Sequence, residues 1–217
     1  MTRATVIDAG VGNLGNLVRA LRQAGAAEVE VTAEAARVAA ARCLVLPGVG
    51  AFAPPRERLR GALEEALHAA LDAGAWLLGV CVGYQLLFEA GEEFGVTPGL
   101  GLLPGRVTRL PDGVPLPHIG WNRLERANGH GGAEGPAVDL LAGLPAAPWV
   151  YFVHSFAPEG VPEALVAARA LHGRRFPAVA GRGRVLGTQF HPEKSGAAGL
   201  ALLANFLEAA RGAAAGD

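Results

Sequence analysis

The 217-residue sequence predicts an α/β fold: a three-layer open sheet with parallel strands at its centre and antiparallel additions in the second half. Three observations lead there. In the first half, short apolar runs alternate with segments whose apolar residues recur at helical spacing, the rhythm of a parallel sheet covered by helices on both faces. Most of those runs are apolar at nearly every position, as strands buried on both sides require. After about residue 100, short runs separated by turn residues take over, the pattern of a meander of partly antiparallel strands.

Ala4-Thr5-Val6-Ile7 is the first strand. Leu14, Leu17, Val18 and Leu21 then fall on one face of a helix that Gly25 can end. Val29-Glu30-Val31, Cys43–Leu46 and Trp76–Val80 supply the next strands. Between the last two, Leu59, Leu63, Leu67 and Leu71 repeat every fourth residue, with Arg58, Glu64 and Glu65 off the stripe. Strands are expected at Arg106–Leu110, His118–Leu124, Val150–His154, Leu165–Arg169, Ala178–Ala180 and Val185–Phe190. A last helix turns Leu200, Leu203, Phe206 and Leu207 inward. The glycine-rich run 129–135 is expected to be a mobile surface loop. No segment has the character of a linker, so a single domain over residues 1–217 is expected.

Composition narrows the classes. The chain is 51% hydrophobic and 18% charged, and 19 basic against 20 acidic side chains leave a net charge of −1. That balance offers no general attraction to nucleic acid or to an anionic membrane surface. Two cysteines, Cys43 and Cys81, are too few for a disulfide framework and suit a reducing, cytoplasmic setting. No apolar stretch reaches the ~18 residues of a membrane span, and no secretion signal precedes Asp8.

Gly10-x-Gly12-x-x-Gly15 follows a strand, opens a helix and has Glu30 about twenty residues on, which matches the dinucleotide-binding fingerprint. Glycines so arranged also serve any tight strand-to-helix turn, and the rest of the chain carries a different chemistry. In Trp76-Leu77-Leu78-Gly79-Val80-Cys81-Val82-Gly83-Tyr84-Gln85 an apolar strand ends in Gly-x-Cys-x-Gly and runs straight into helix-compatible residues. This is the nucleophile-elbow pattern with sulfur in place of oxygen. Small neighbours are needed because the nucleophile sits on a sharp, strained turn, and a helix N-terminus beyond it favours a thiolate at Cys81. Cys43 lacks any such frame and is expected in the core.

Phe190-His191-Pro192-Glu193-Lys194-Ser195 supplies a base and its partner. In extended chain His191 and Glu193 project to the same side, and the carboxylate can hold one imidazole nitrogen as N–H while the other takes a proton. Attack on an amide carbonyl also needs N–H donors for the oxyanion. The Val82 amide is one candidate. The loop Gly48-Val49-Gly50, after the third strand, can offer another, because its glycines permit a peptide flip.

Taken together these segments resemble the class I (triad) glutamine amidotransferases, a flavodoxin-like fold. The resemblance narrows to the glutaminase subunits of imidazole glycerol phosphate synthase through Asp8-Ala9-Gly10-Val11-Gly12-Asn13-Leu14, Pro47-Gly48-Val49-Gly50, Pro117-His118-Ile119-Gly120-Trp121-Asn122 and His154-Ser155-Phe156. It implies that Cys81 attacks the glutamine side-chain amide and forms a thioester, His191 moves the proton and Glu193 orients His191. Gln85 and the Ser155–Phe156 backbone would hold the amino-acid head group. No cofactor or metal is implied. The ammonia would pass to a (β/α)8-barrel cyclase in a heterodimer, which makes imidazole glycerol phosphate and aminoimidazole carboxamide ribotide; Asn13, Asn16 and Trp121 are candidates for the docking face. Two alternatives stand beside this. A γ-glutamyl or other cysteine hydrolase of the same fold would keep the triad. A metal-binding regulatory module would use Cys81, His191 and Glu193 as ligands, although no C-x2-C or H-x3-H spacing supports one.

Overall fold

The computed structural model describes residues 2–10, 14–127 and 135–214. In the first half the chain alternates strand and helix: β1 (Arg3–Ile7), α1 (Leu14–Gln23), β2 (Glu28–Thr32), α2 (Ala35–Ala39), β3 (Cys43–Gly48), α3 (Ala53–Leu59), α4 (Ala62–Asp72), β4 (Trp76–Cys81) and the single turn α5 (Val82–Gln85). Short strands follow: β5 (Ala90–Gly91), β6 (Thr97–Pro98), β7 (Arg106–Arg109), β8 (His118–Arg123) and β9 (Glu125–Arg126). The chain closes with β10 (Trp149–His154), β11 (Phe156–Glu159), β12 (Val166–His172), β13 (Arg174–Arg182), β14 (Val185–Thr188) and the long helix α6 (Gly196–Ala214).

The main sheet has the order β2-β1-β3-β4-β14-β13-β12-β9. Its first five strands are parallel and its last three join antiparallel, as the sequence predicts. Right-handed crossovers from β1 out to β2 and back past it to β3 place α1 and α2 on opposite faces. Accordingly α1 packs with α6, and α2 with α4. Strands β3 and β4 are buried at every position, so both sides of the sheet centre are covered. Leu44, Leu46, Leu77, Leu78 and, from α6, Leu203 and Phe206 belong to one apolar cluster.

Two expectations need correction. The leucine stripe from Leu59 to Leu71 is not one helix: Gly61 takes φ 78°, so Leu59 closes α3 while Leu63 and Leu67 are buried from α4. The 106–110, 118–124 and 150–154 strands do not extend the main sheet. β8 and β10 form a separate antiparallel ribbon, and β7 joins β11, β5 and β6. The alternating burial of β8 and β10 explains this, because a strand with one wet face cannot sit in a sheet covered on both sides. The glycine-rich run 129–135 falls, apart from Gly135, outside the described residues.

Candidate active site

Parallel α/β sheets bind ligands at the carboxyl ends of their strands, and every chemically armed segment converges there. Cys81 ends β4 with φ 56°, ψ −111°, a conformation a side-chain-bearing residue adopts only under strain. What permits it is space. A Cβ on Gly83 would lie 1.8 Å from the Leu46 carbonyl oxygen, and one on Gly79 would lie 2.7 Å from the Tyr84 Cα. The Gly-x-Cys-x-Gly frame is therefore a packing requirement of the turn. The helix expected after it is only the four residues of α5. One turn carries little macrodipole, so the charged neighbour that matters to Cys81 is His191.

His191 follows β14, the strand that pairs in parallel with β4, so neighbouring strands deliver nucleophile and base to one place. Its Nδ1 lies 2.7 Å from Glu193 Oε1, and both side chains are buried. The extended geometry expected for this pair is replaced by a turn. Pro192 begins a 3-10 turn, Pro192–Lys194, whose curl returns Glu193 to the ring. The His191 backbone is clamped as well, its N–H donating to Tyr151 O (3.0 Å) and its carbonyl accepting from Ser195 Oγ (2.6 Å). Burial works against a charged His191, but the interactions with Cys81 and Glu193 outweigh it and raise the pKa to about 10. Nε2 has no hydrogen-bond partner among the described residues. Glu193 occupies one ring nitrogen and leaves the other open, an arrangement suited to proton transfer; among the described residues no His, Cys, Asp and Glu side chains group to hold a metal.

Cys81 and His191 line one cavity of about 240 Å³ with Val49, Gly50, Val82, Gln85, Glu93 and the His154-Ser155-Phe156 segment. That is below the ~300–1,000 Å³ of ordinary small-molecule pockets and suits a single amino acid better than a peptide. Gly48 does not line it; a Cβ there would meet Gly83 N at 2.6 Å, so Gly48 lets the elbow pack against β3. Gln85 is buried, and its Nε2 donates to Phe156 O (2.9 Å) and Gln189 Oε1 (3.1 Å). Glu93, which sequence reasoning missed, enters the wall from the loop after β5, its Oε2 accepting from Phe52 N–H at 2.8 Å. No local pattern marks it, because its place depends on that loop folding over α3.

The remaining candidates lie elsewhere. Trp121 is 53% exposed on the β8–β10 ribbon. Asn16 lines a separate hollow with Pro192 and Glu193. Asn13 is outside the described residues. Glu30 of the dinucleotide-like fingerprint is paired with Arg3 and Arg37, and a Cβ on Gly10 would meet Arg58 Nε at 2.6 Å, so that glycine makes room for an arginine; Gly12 is outside the described residues. A larger cavity of about 640 Å³ opens where β1 and β3 begin, at the far end of the sheet from Cys81. Cys43 lies in its wall, but burial pushes its thiol up to about 12, which keeps it protonated.

The sequence matches the glutamine amidotransferase class-I family over residues 5–210. The chain belongs to that family. Among its relatives, the imidazole glycerol phosphate synthase subunit HisH of Symbiobacterium thermophilum is 49% identical, over 95% of this chain and 93% of that one. The subunit of the same name from Salinibacter ruber is 45% identical over 93% and 92%. A crystal structure of a glutamine amidotransferase superposes with a TM-score of 0.73 at 23% identity, over 95% of this chain and 98% of that one. The structure of PurLQS from Thermotoga maritima gives 0.69 at 18%, over 96% and 99%. At those identities the structures speak for the fold, and the class-I amidotransferase fold is the one described above.

Two consequences are measurable. Gly83→Ala in this amidotransferase has no room beside Leu46 and costs about 3 kcal/mol, a fall in Tm of roughly 6–12 °C at this size; calorimetry checks it. His118 and His154 are held neutral by burial, reinforced by neighbouring histidines, with pKa values lowered from 6.5 to about 4 and about 3. Between those values and 6.5 the unfolded chain binds more protons, so their contribution is present above pH 6.5 and is lost as pH falls toward 4. His191 has the opposite sign, contributing below 6.5 and losing that contribution as pH rises toward 10. Tm should therefore peak near neutrality and fall on both sides.

Proposed function

We propose that this chain is the glutaminase subunit of an imidazole glycerol phosphate synthase, a cytoplasmic partner of a (β/α)8-barrel cyclase. One observation carries the reading: a buried Glu193–His191 pair beside an elbow cysteine, opening on an amino-acid-sized pocket, in a chain 49% identical to a HisH subunit.

The Cys81 thiolate adds to the side-chain amide carbon of glutamine. The oxyanion that forms is met by the Val82 N–H and by the Val49–Gly50 loop, which border the cavity. His191, charged and held at Nδ1 by Glu193, gives its Nε2 proton to the departing nitrogen, which leaves as ammonia. Water, deprotonated by the now neutral ring, cleaves the glutamyl thioester to glutamate and restores the thiolate. Glu93 faces the substrate's ammonium group, and the Ser155–Phe156 backbone its carboxylate. Gln85 acts one step back, through the Phe156 carbonyl. The low volume of the pocket favours free glutamine over the γ-glutamyl peptides of a related hydrolase.

The ammonia must reach a second site before it is protonated, so the docking face should lie close by. Strand β10 supplies both: Val153 and His154 line the pocket, while Trp149 is exposed and Tyr151 half-buried on the strand's wet face. On the ribbon's outer face Ile119 is 60% exposed, and Trp121 and Trp149 are each 53% exposed. Arg123 lies over Trp149 at 5.6 Å and Lys194 over Tyr151 at 5.7 Å. Exposed aromatic and basic side chains of this kind anchor protein interfaces.

A reactive glutamine analogue, 6-diazo-5-oxonorleucine, should modify Cys81, and glutamine should protect it; mass spectrometry locates the adduct. Cys81→Ala should keep its fold and release no ammonia, and ammonia release by that variant would refute the nucleophile assignment. Trp121→Ala should weaken binding of the cyclase by at least about tenfold, as for a buried aromatic anchor, and an unchanged affinity in titration calorimetry would remove Trp121 from the interface.

A further inference from the structure

Behind the pocket wall, three side chains donate hydrogen bonds in one direction. Asn122 Nδ2 donates to His118 Nε2 (3.2 Å), His118 Nδ1 to His154 Nε2 (3.1 Å), and His154 Nδ1 to the Phe156 carbonyl (2.8 Å). Only neutral rings fit, each donating at Nδ1 and accepting at Nε2, because an added proton would set N–H against N–H. Both histidines are nearly fully buried, and His118 is stacked between Phe152 (4.8 Å) and His172 (4.0 Å), which fixes its plane. With both nitrogens of His154 committed, it is no candidate for acid–base work although it borders the cavity.

The far end of this chain lands on a peptide that matters. Phe156 lies opposite Arg109, one step from the Leu110 N–H bond to the Ser155 carbonyl (2.9 Å). In an antiparallel pair that alternation leaves Phe156 and Arg109 unbonded to each other, with N–H and C=O of Phe156 both turned away from β7. The carbonyl receives Gln85 from the elbow turn and His154 from β10, so both its lone pairs are used. Two donors on one carbonyl fix the rotation of that residue, and with it the direction of its own N–H on the pocket side.

We infer that His154, braced by His118 and Asn122, is a positioning residue that sets the Phe156 backbone to receive the carboxylate of the amino-acid substrate. The inference rests on the glutaminase reading above. It also ties the pocket to the ribbon: β8 turns Ile119 and Trp121 outward and His118 and Asn122 inward, so the strand exposed to a partner is the strand that carries the brace.

The test compares His154→Asn with His154→Gln in the complete synthase. An asparagine amide sits where Nδ1 does and can keep the bond to Phe156, whereas glutamine places its amide where Nε2 was and loses it. His154→Gln should raise the KM for glutamine about tenfold or more, the loss of one buried hydrogen bond, and His154→Asn should restore it to within about threefold. Inactivation by 6-diazo-5-oxonorleucine, which uses the head-group contacts, should slow by a similar factor in His154→Gln, while alkylation of Cys81 by iodoacetamide, which does not, should stay within about twofold. If His154→Gln does not fold, His118→Phe keeps the ring stack and removes the brace, and should raise KM at least about threefold with the same contrast between reagents. Equal KM values in the variants and the parent, or equal slowing by both reagents, overturn the inference. Failure of either reagent to label Cys81 in the parent overturns the glutaminase reading itself.

Discussion

The chemistry of this molecule depends on one backbone constraint, the left-handed turn that carries Cys81. A cysteine at φ 56° costs about 1–3 kcal/mol and persists only where surroundings over-determine it. Here they do. β3 and β4 are buried along their whole length, and the turn is pressed so closely on Leu46 that Gly83 has no room for even a methyl group. The strain is held by sheet packing, and its product is a sulfur presented at the sheet edge where β14 delivers His191. Burial works against a charge on that imidazole, and Cys81 and Glu193 together outweigh it, so the ring is held as a cation between its two neighbours.

Much of this was legible along the chain, for identifiable reasons. The parallel strands announce themselves because burial on both faces demands continuous apolar runs, and Cys43–Leu46 and Trp76–Val80 have little other use. Cys81 and His191 were readable because each function needs its own local frame, two glycines for one and a proline-linked carboxylate for the other. What failed was whatever depends on distant segments. The leucine stripe hides the break at Gly61, since spacing continues across a turn that phase alone does not reveal. The membership of β8 and β10 in a ribbon of their own is set by which face water reaches. Glu93 and the brace from Asn122 to His154 have no motif, because β8, β10 and β11 must assemble before those atoms meet.

The β8–β10 ribbon stands between the two tasks the chain is proposed to perform. Its outer face exposes tryptophans beside basic groups, and its inner face carries His118 and His154, the second of which borders the active-site cavity. The same ribbon accepts the His191 N–H at Tyr151, so pressure on the outer face would reach both base and head-group wall through a few well-defined hydrogen bonds.

The most direct measurement is the protonation state of His191, followed by nitrogen-15 NMR of the imidazole across pH in the intact protein and in a variant with alanine at position 81. With the sulfur present, the ring should remain an imidazolium well above neutrality, toward pH 10, and without it the midpoint should drop sharply. A ring that titrates near 6.5 in both proteins would mean that cysteine and histidine do not share a charge, and the site as described here would not exist.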